Sequence, residues 1–168
     1  STVERPADVP DMLMLLGERL NLVSKATELA NAIRNELTSG THRDGPVVLP
    51  MIWHEPLMAV SPSKYSGALL EACGFQVPDI EPEGNGYPTV TPEDIVQHNV
   101  EGLLLSSEPH EFSKQEGEAI SDAVEAIGGV RPWTRCIDGE ALTWFGSHTL
   151  IGLRTFNALC KDLKTADD

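Results

Sequence analysis

The sequence predicts an α/β fold: an open, three-layer lobe built on a parallel sheet, with two helices set in front of it. Three short apolar runs bounded by turn residues, at 46–53, 102–107 and 133–138, have the length and composition of buried strands. Stretches with apolar residues at helical spacing alternate with these runs. Alternation of this kind favours β-α-β units, whose crossovers place strands parallel and helices on both faces.

The first helical stripe, over 10–20, carries Met12, Leu13, Leu15, Leu16 and Leu20, with Asp8 or Asp11 available to cap it. A second spans about 24–38. Leu22, Ala26, Leu29, Ala30, Ile33 and Leu37 share one side of it, while Glu28, Arg34 and Glu36 lie off it. Ser39-Gly40 supplies a glycine stop. At about fifteen residues and ~1.5 Å per residue, this helix is ~22 Å long.

The loop Thr41-His42-Arg43-Asp44-Gly45 leads into the first strand, 46–53. Ser61-Pro62 pairs an N-cap with a first-turn proline, so a helix is expected to open there. It runs through Tyr65, Leu69, Leu70 and Cys73 and closes at Gly74. Residues 78–88 are rich in proline and glycine and read as a loop, and Thr91-Pro92-Glu93-Asp94 opens the next helix, with Ile95 and Val96 inside. After the second strand, 113–127 is amphipathic through Ile120, Ala123, Val124 and Ile127 and stops at Gly128-Gly129. The third strand precedes a last helix over 147–163, which buries Leu150, Leu153, Phe156, Leu159, Cys160 and Leu163 ahead of a polar tail. This is a Rossmann-like order, and its two opening helices precede the first strand in search of a surface to pack on.

Composition narrows the function. The chain has 26 acidic against 12 basic residues, a formal charge of −14, which repels phosphate backbones and argues against nucleic acid as a partner. Such a charge serves solubility or a basic partner. No apolar run is long enough to span a bilayer, and no basic start precedes an apolar signal core. The chain opens on Ser1 instead of methionine, as a trimmed protein would. Cys73, Cys136 and Cys160 are odd in number and lack C-x-x-C spacing, so neither a zinc ribbon nor a redox pair is expected. Their apolar contexts predict buried small hydrophobes, and spacing does not decide whether two of them pair.

In open α/β sheets, ligands bind beyond the carboxyl ends of the strands. The loops at these positions hold Trp53, His54 and Met58, then Glu108, His110 and Phe112, then Asp138, Trp144, Phe145 and His148. Aromatics interleaved with a few polar groups suit a concave site for a bulky, partly apolar ligand. Alternatively, Trp53 and Trp144 plug the end of the core. Enzyme templates fit poorly: phosphate-binding glycine loops and the G-x-S-x-G elbow are absent. Gly84-Asn85-Gly86 sits within the proline-rich loop, and Ser147 reads as a helix cap. The rival is metal chemistry. Glu108, His110 and Glu111, with His54-Glu55 nearby, form a nitrogen and oxygen donor set suited to zinc or iron. A metal-dependent hydrolase would then use Glu108, His110 and Asp138.

These stretches also resemble a known family. PMIWHEPLMAV at 50–60, LLEACG at 69–74, YPTVTPEDI at 87–95, LLLSSEPHEF at 103–112 and DGEALTWFG at 138–146 occur in order. Together they resemble the C-terminal half of the cobalamin and ferric-siderophore type of periplasmic binding protein, the helical-backbone receptors that feed ABC importers. The resemblance implies two α/β lobes joined by a long helix, with ligand held in the cleft between them. On that template 1–20 is the end of an N-terminal lobe, 21–45 the interlobe linker helix, and 46–168 the C-terminal ligand-binding lobe. Trp53, His54, Met58, Glu108, His110, Phe112, Trp144 and Phe145 would then contact the ligand, a cobalamin-like corrinoid or an iron chelate. No intrinsic cofactor or catalytic residue is implied. The implied partners are the membrane subunits of the importer, and the implied location is periplasmic or extracytoplasmic. Family receptors dock through an acidic residue on each lobe, whereas the helix after Ser61 offers Lys64 in its first turn. The sequence lacks the family's N-terminal lobe, which leaves the linker stripe exposed and favours a homodimer. A single-lobe acidic interaction module is the remaining alternative.

Overall fold

The computed structural model describes residues 3–39 and 44–166. A 3-10 turn at Pro6–Asp8 leads into α1 (Val9–Leu20) and α2 (Val23–Ser39). The lobe proper follows as β1 (Val48–Trp53), β2 (Met58–Ala59), α3 (Tyr65–Ala72), α4 (Pro92–Gln97) and β3 (Gly102–Ser106). It ends with α5 (Lys114–Ala126), β4 (Trp133–Ile137), α6 (Gly139–Thr143) and α7 (His148–Ala166).

The sheet order is β2-β1-β3-β4. β1, β3 and β4 run parallel as expected, with Met51 beside Leu105 and Leu105 beside Cys136. Side chains on a strand alternate between faces, and here that alternation divides the core. Val48 and Leu104 join Leu69, Phe75, Leu153 and Phe156 under α3 and α7. Leu49, Met51, Leu103 and Leu105 join Ile95, Ile120 and Val124 under α4 and α5. Both faces are therefore covered, as a mostly parallel sheet requires.

Local chemistry sets the helix ends. Thr91 and Asp94 form a reciprocal capping box at α4, and Ser113 and Glu116 form another at α5. Asn21, in the left-handed region at φ 56°, turns the chain between α1 and α2. The two helices pack closely, because a Cβ on Gly17 would lie 2.4 Å from the Ala26 Cβ. α2 is tied to α7 through Arg154, whose Nε donates to Glu36 at 3.1 Å.

Several details depart from expectation. The first strand adds an antiparallel partner at the sheet edge, β2, which pairs Met58 with Trp53. α3 opens at Tyr65, not at Pro62. The Ser61 amide is held by the Gly86 carbonyl at 3.0 Å, which keeps that segment out of the helix. The Ser61 hydroxyl instead accepts from the Ser63 amide at 3.2 Å within the preceding turn. Residues expected as loop after β4 form α6, capped by Asp138. α7 continues to Ala166 through the start of the expected polar tail. Cys73 and Cys160 are buried as expected, and burial pushes both thiols above their ordinary range. Cys136 is exposed instead, on the edge strand β4, and all three thiols are free. The Gly40 stop, the loop residues Thr41, His42 and Arg43, Ser1 and the last residues of the tail lie outside the described residues.

Candidate ligand-binding site

The parallel register brings the carboxyl ends of β1, β3 and β4 to one edge, where a groove of about 700 Å³ opens. Ile52 of β1, Pro109 of the loop after β3, and Thr143 and Phe145 at the end of α6 line one part of it. Lys64 and Tyr65 at the start of α3 and Tyr87 of the long loop line another, and Val3 and Glu4 close it off. Lys64 places its ammonium 5.3 Å from the Tyr87 ring centre, within the range of a cation–π contact. Phe145 lies 6.0 Å from Tyr65, ring to ring, at 60°. The Tyr65 hydroxyl bonds Thr149 at 2.7 Å, and burial pushes its phenol up to about 12, so it stays neutral and offers the groove its ring.

Four large aromatics at this edge face water. Phe145 is 55% exposed, Trp144 47%, Trp53 42% and Tyr87 41%. That exposure disagrees with the reading in which Trp53 and Trp144 plug the core. Trp144 stands 5.2 Å from the His148 ring, and Gly146 turns the chain just after Phe145 at φ 81°, a conformation that favours glycine. Trp53 donates its indole N–H to the Glu55 carbonyl at 3.0 Å, which fixes the ring at the end of β1.

Beside the groove, His54 and His110 stack with ring centres 5.6 Å apart and planes 14° from parallel. His110 bonds Glu116 at 2.8 Å, and His54 Nε2 lies 3.9 Å from the same carboxylate oxygen. Phe112 meets the edge of His110 at 4.7 Å. The Glu116 carboxyl is held down at about 2, first by the Ser113 hydroxyl, then by the Ser113 amide, then by His110. One carboxylate therefore caps α5 and anchors the histidine pair.

Of the residues singled out from sequence, Phe145 lines the groove and Trp53 and Trp144 stand exposed at the same edge. His54 and His110 join each other beside it. Phe112 is buried in the core beneath them and Met58 is half-buried in β2, so both back the loops from behind. Glu108 is half-buried, and its amide and carbonyl are both engaged by the Ser106 hydroxyl, at 3.2 Å and 2.7 Å. Two of the three residues of the hydrolase reading have partners outside that trio. Asp138 accepts from the Glu140 amide as the cap of α6, and His110 is committed to Glu116. Among the described residues no three His, Cys, Asp or Glu side chains are grouped to hold a metal ion. Sequence reasoning missed Tyr65, Tyr87 and Glu116 and did not place Lys64 in the site. Glu116 was legible as the fourth residue of a Ser-x-x-Glu capping box, and Tyr87 as an aromatic flanked by Gly86 and Pro88 in a loop.

No family model matches the sequence, and no curated protein matches it either. Solved structures match in fold. The periplasmic vitamin B12 binding protein BtuF of Vibrio cholerae aligns at TM-score 0.71 and 13% identity, over 98% of this chain and 64% of that one. The periplasmic heme binding protein HutB of the same organism aligns at 0.71 and 15%, over 92% and 63%. IsdE of S. aureus, solved in complex with heme, aligns at 0.67 and 14%, over 94% and 65%. The present chain thus has the mixed α/β fold found in these proteins and spans less than two thirds of each.

Proposed function

We propose that this chain is the C-terminal lobe and linker helix of a two-lobed substrate-binding protein serving an ABC importer. In this reading 1–20 ends the other lobe, 21–45 is the interlobe helix and 46–168 is the ligand-binding lobe. Its strand-end groove forms one wall of a cleft for a bulky metal-bearing ligand, a corrinoid or an iron chelate. The observation that carries the reading is the exposed aromatics at the strand ends: Tyr87 and Phe145 line the groove, and Trp53 and Trp144 stand exposed at the same edge. Aromatic rings left in water gain from burial at about 25 cal/mol per Å². Their flat faces suit a corrin, a porphyrin or the apolar skin of a chelate.

The fold relatives support the ligand class, since their names specify vitamin B12, heme and Fe3+-hydroxamate. They also support a periplasmic or extracytoplasmic location and a membrane permease as partner. No helix among the described residues is long and apolar enough to cross a membrane. The linker stripe expected to lie exposed is mostly packed against the lobe, with Ala26, Ala30 and Ile33 buried; the exposed apolar residues are instead Leu15, Leu16 and Leu20 on α1, where a second lobe would pack. Without that lobe, the same face would pair two copies of the chain. The reading contains no catalytic residue, and His54 and His110 contribute shape and polarity beside the groove.

Titration of tryptophan fluorescence with cobalamin, hemin and a ferric hydroxamate tests the reading. Saturable quenching by at least one ligand is expected. Trp144→Ala should weaken it at least about tenfold, equivalent to ~1.4 kcal/mol. An unchanged affinity removes Trp144 from the site, and no saturable response to any of the three sinks the reading.

A further inference from the structure

We infer that the groove selects ligands carrying an acidic group, and that Lys64 is the residue that meets it. This rests on the receptor reading and adds the charge of the ligand to it. The chain holds more than twice as many acidic as basic residues, yet the groove is lined by a lysine. Arg34, Arg131, Arg154 and Lys164 each form an ion pair with a carboxylate. Among the described residues Lys64 forms none, although Glu4 borders the same groove. What sets it apart from the other basic side chains without an ion pair is its place in the groove wall.

Lys64 is also held ready. Its stem lies along Gly86, where an added Cβ would come within 2.4 Å of the Lys64 Cε, and its ammonium sits over the Tyr87 ring. Gly86, at φ 85°, permits this approach because it has no side chain. A lysine ordered by the fold loses less rotamer freedom on binding than one free in solvent. One further feature favours negative charge. Lys64 is the N-cap residue of α3, so the positive end of that helix lies beside the groove. Phe145 and Tyr65 offer apolar surface a short distance away. Together the groove presents an aromatic wall with one cation on it, which fits a partly apolar chelate bearing a carboxylate.

The test compares hemin with hemin dimethyl ester, the same macrocycle with and without its carboxylates, on the wild-type chain and on Lys64→Gln and Lys64→Arg. Wild type is expected to bind hemin about tenfold more tightly than the ester, consistent with one charge-assisted contact. Lys64→Gln should bring the hemin-to-ester affinity ratio to about one, while Lys64→Arg should retain the preference. The preference should shrink as salt rises. Equal wild-type affinity for the two compounds, or a preference that survives Lys64→Gln, overturns the inference while leaving the receptor reading in place. Failure of the wild type to bind either compound overturns the inference. If cobalamin and a ferric hydroxamate also fail to bind, the receptor reading falls with it.

Discussion

Glu116 shows how one side chain can tie stability to the shape of the site. Its carboxylate accepts from the Ser113 amide and hydroxyl, both at 2.6 Å, and from His110 at 2.8 Å. The folded state holds its pKa at about 2, against an ordinary 4.5. A depressed carboxyl stabilises the fold above its unfolded value, and that contribution is lost as pH falls through the folded value. Glu116→Gln should therefore lower Tm at pH 7. The gap to wild type should close between about pH 4.5 and pH 2, as read by circular dichroism melts. A gap that does not change with pH would show that the charge is not what matters. Single residues were unevenly legible from sequence. Trp53, Trp144 and Phe145 stood out because large aromatics directly follow strands. Lys64 and Tyr87 did not, because they meet only after the 78–88 loop folds back to α3.

At the scale of elements, α1 joins the molecule by one side only. Val9, Pro10 and Gly17 are buried, while Leu15, Leu16 and Leu20 face solvent together with Leu22 and Val23 at the start of α2. Contiguous exposed leucines of this kind mark a surface that is covered in use. Sedimentation velocity of the chain should show a dimer growing with concentration, and Leu16→Gln with Leu20→Gln should return it to monomer at unchanged Tm. A wild-type chain that stays monomeric throughout removes the homodimer. The elements legible in the sequence were those with enough residues to reveal a period: α1, α2, α5, α7 and the three parallel strands. β2 has two residues and α6 has five, too few for either periodicity to register. The start of α3 was misplaced because Ser61-Pro62 has the residues of a helix cap, while a tertiary bond from the Gly86 carbonyl holds its backbone elsewhere.

For the whole molecule, the sheet register does the positioning. Three parallel strands end side by side, so loops distant in sequence share one edge, and Trp53, Trp144 and Phe145 are exposed there. Fold class was legible because strand and helix periods alternate cleanly. The groove was not, because its walls come from segments as far apart as Val3 and Phe145. A second groove, of about 520 Å³, lies at the opposite ends of β3 and β4 between Val96, Val130 and Trp133, and it is the natural competitor for a ligand. Hydrogen–deuterium exchange, with and without saturating hemin or cobalamin, tells the two grooves apart. Protection of residues 52–66, 86–90, 107–112 and 139–148 is expected on ligand addition, with no change near Val96 and Val130. Protection confined to 95–101 and 128–133, or none under conditions of demonstrated binding, would contradict a ligand site at the strand ends.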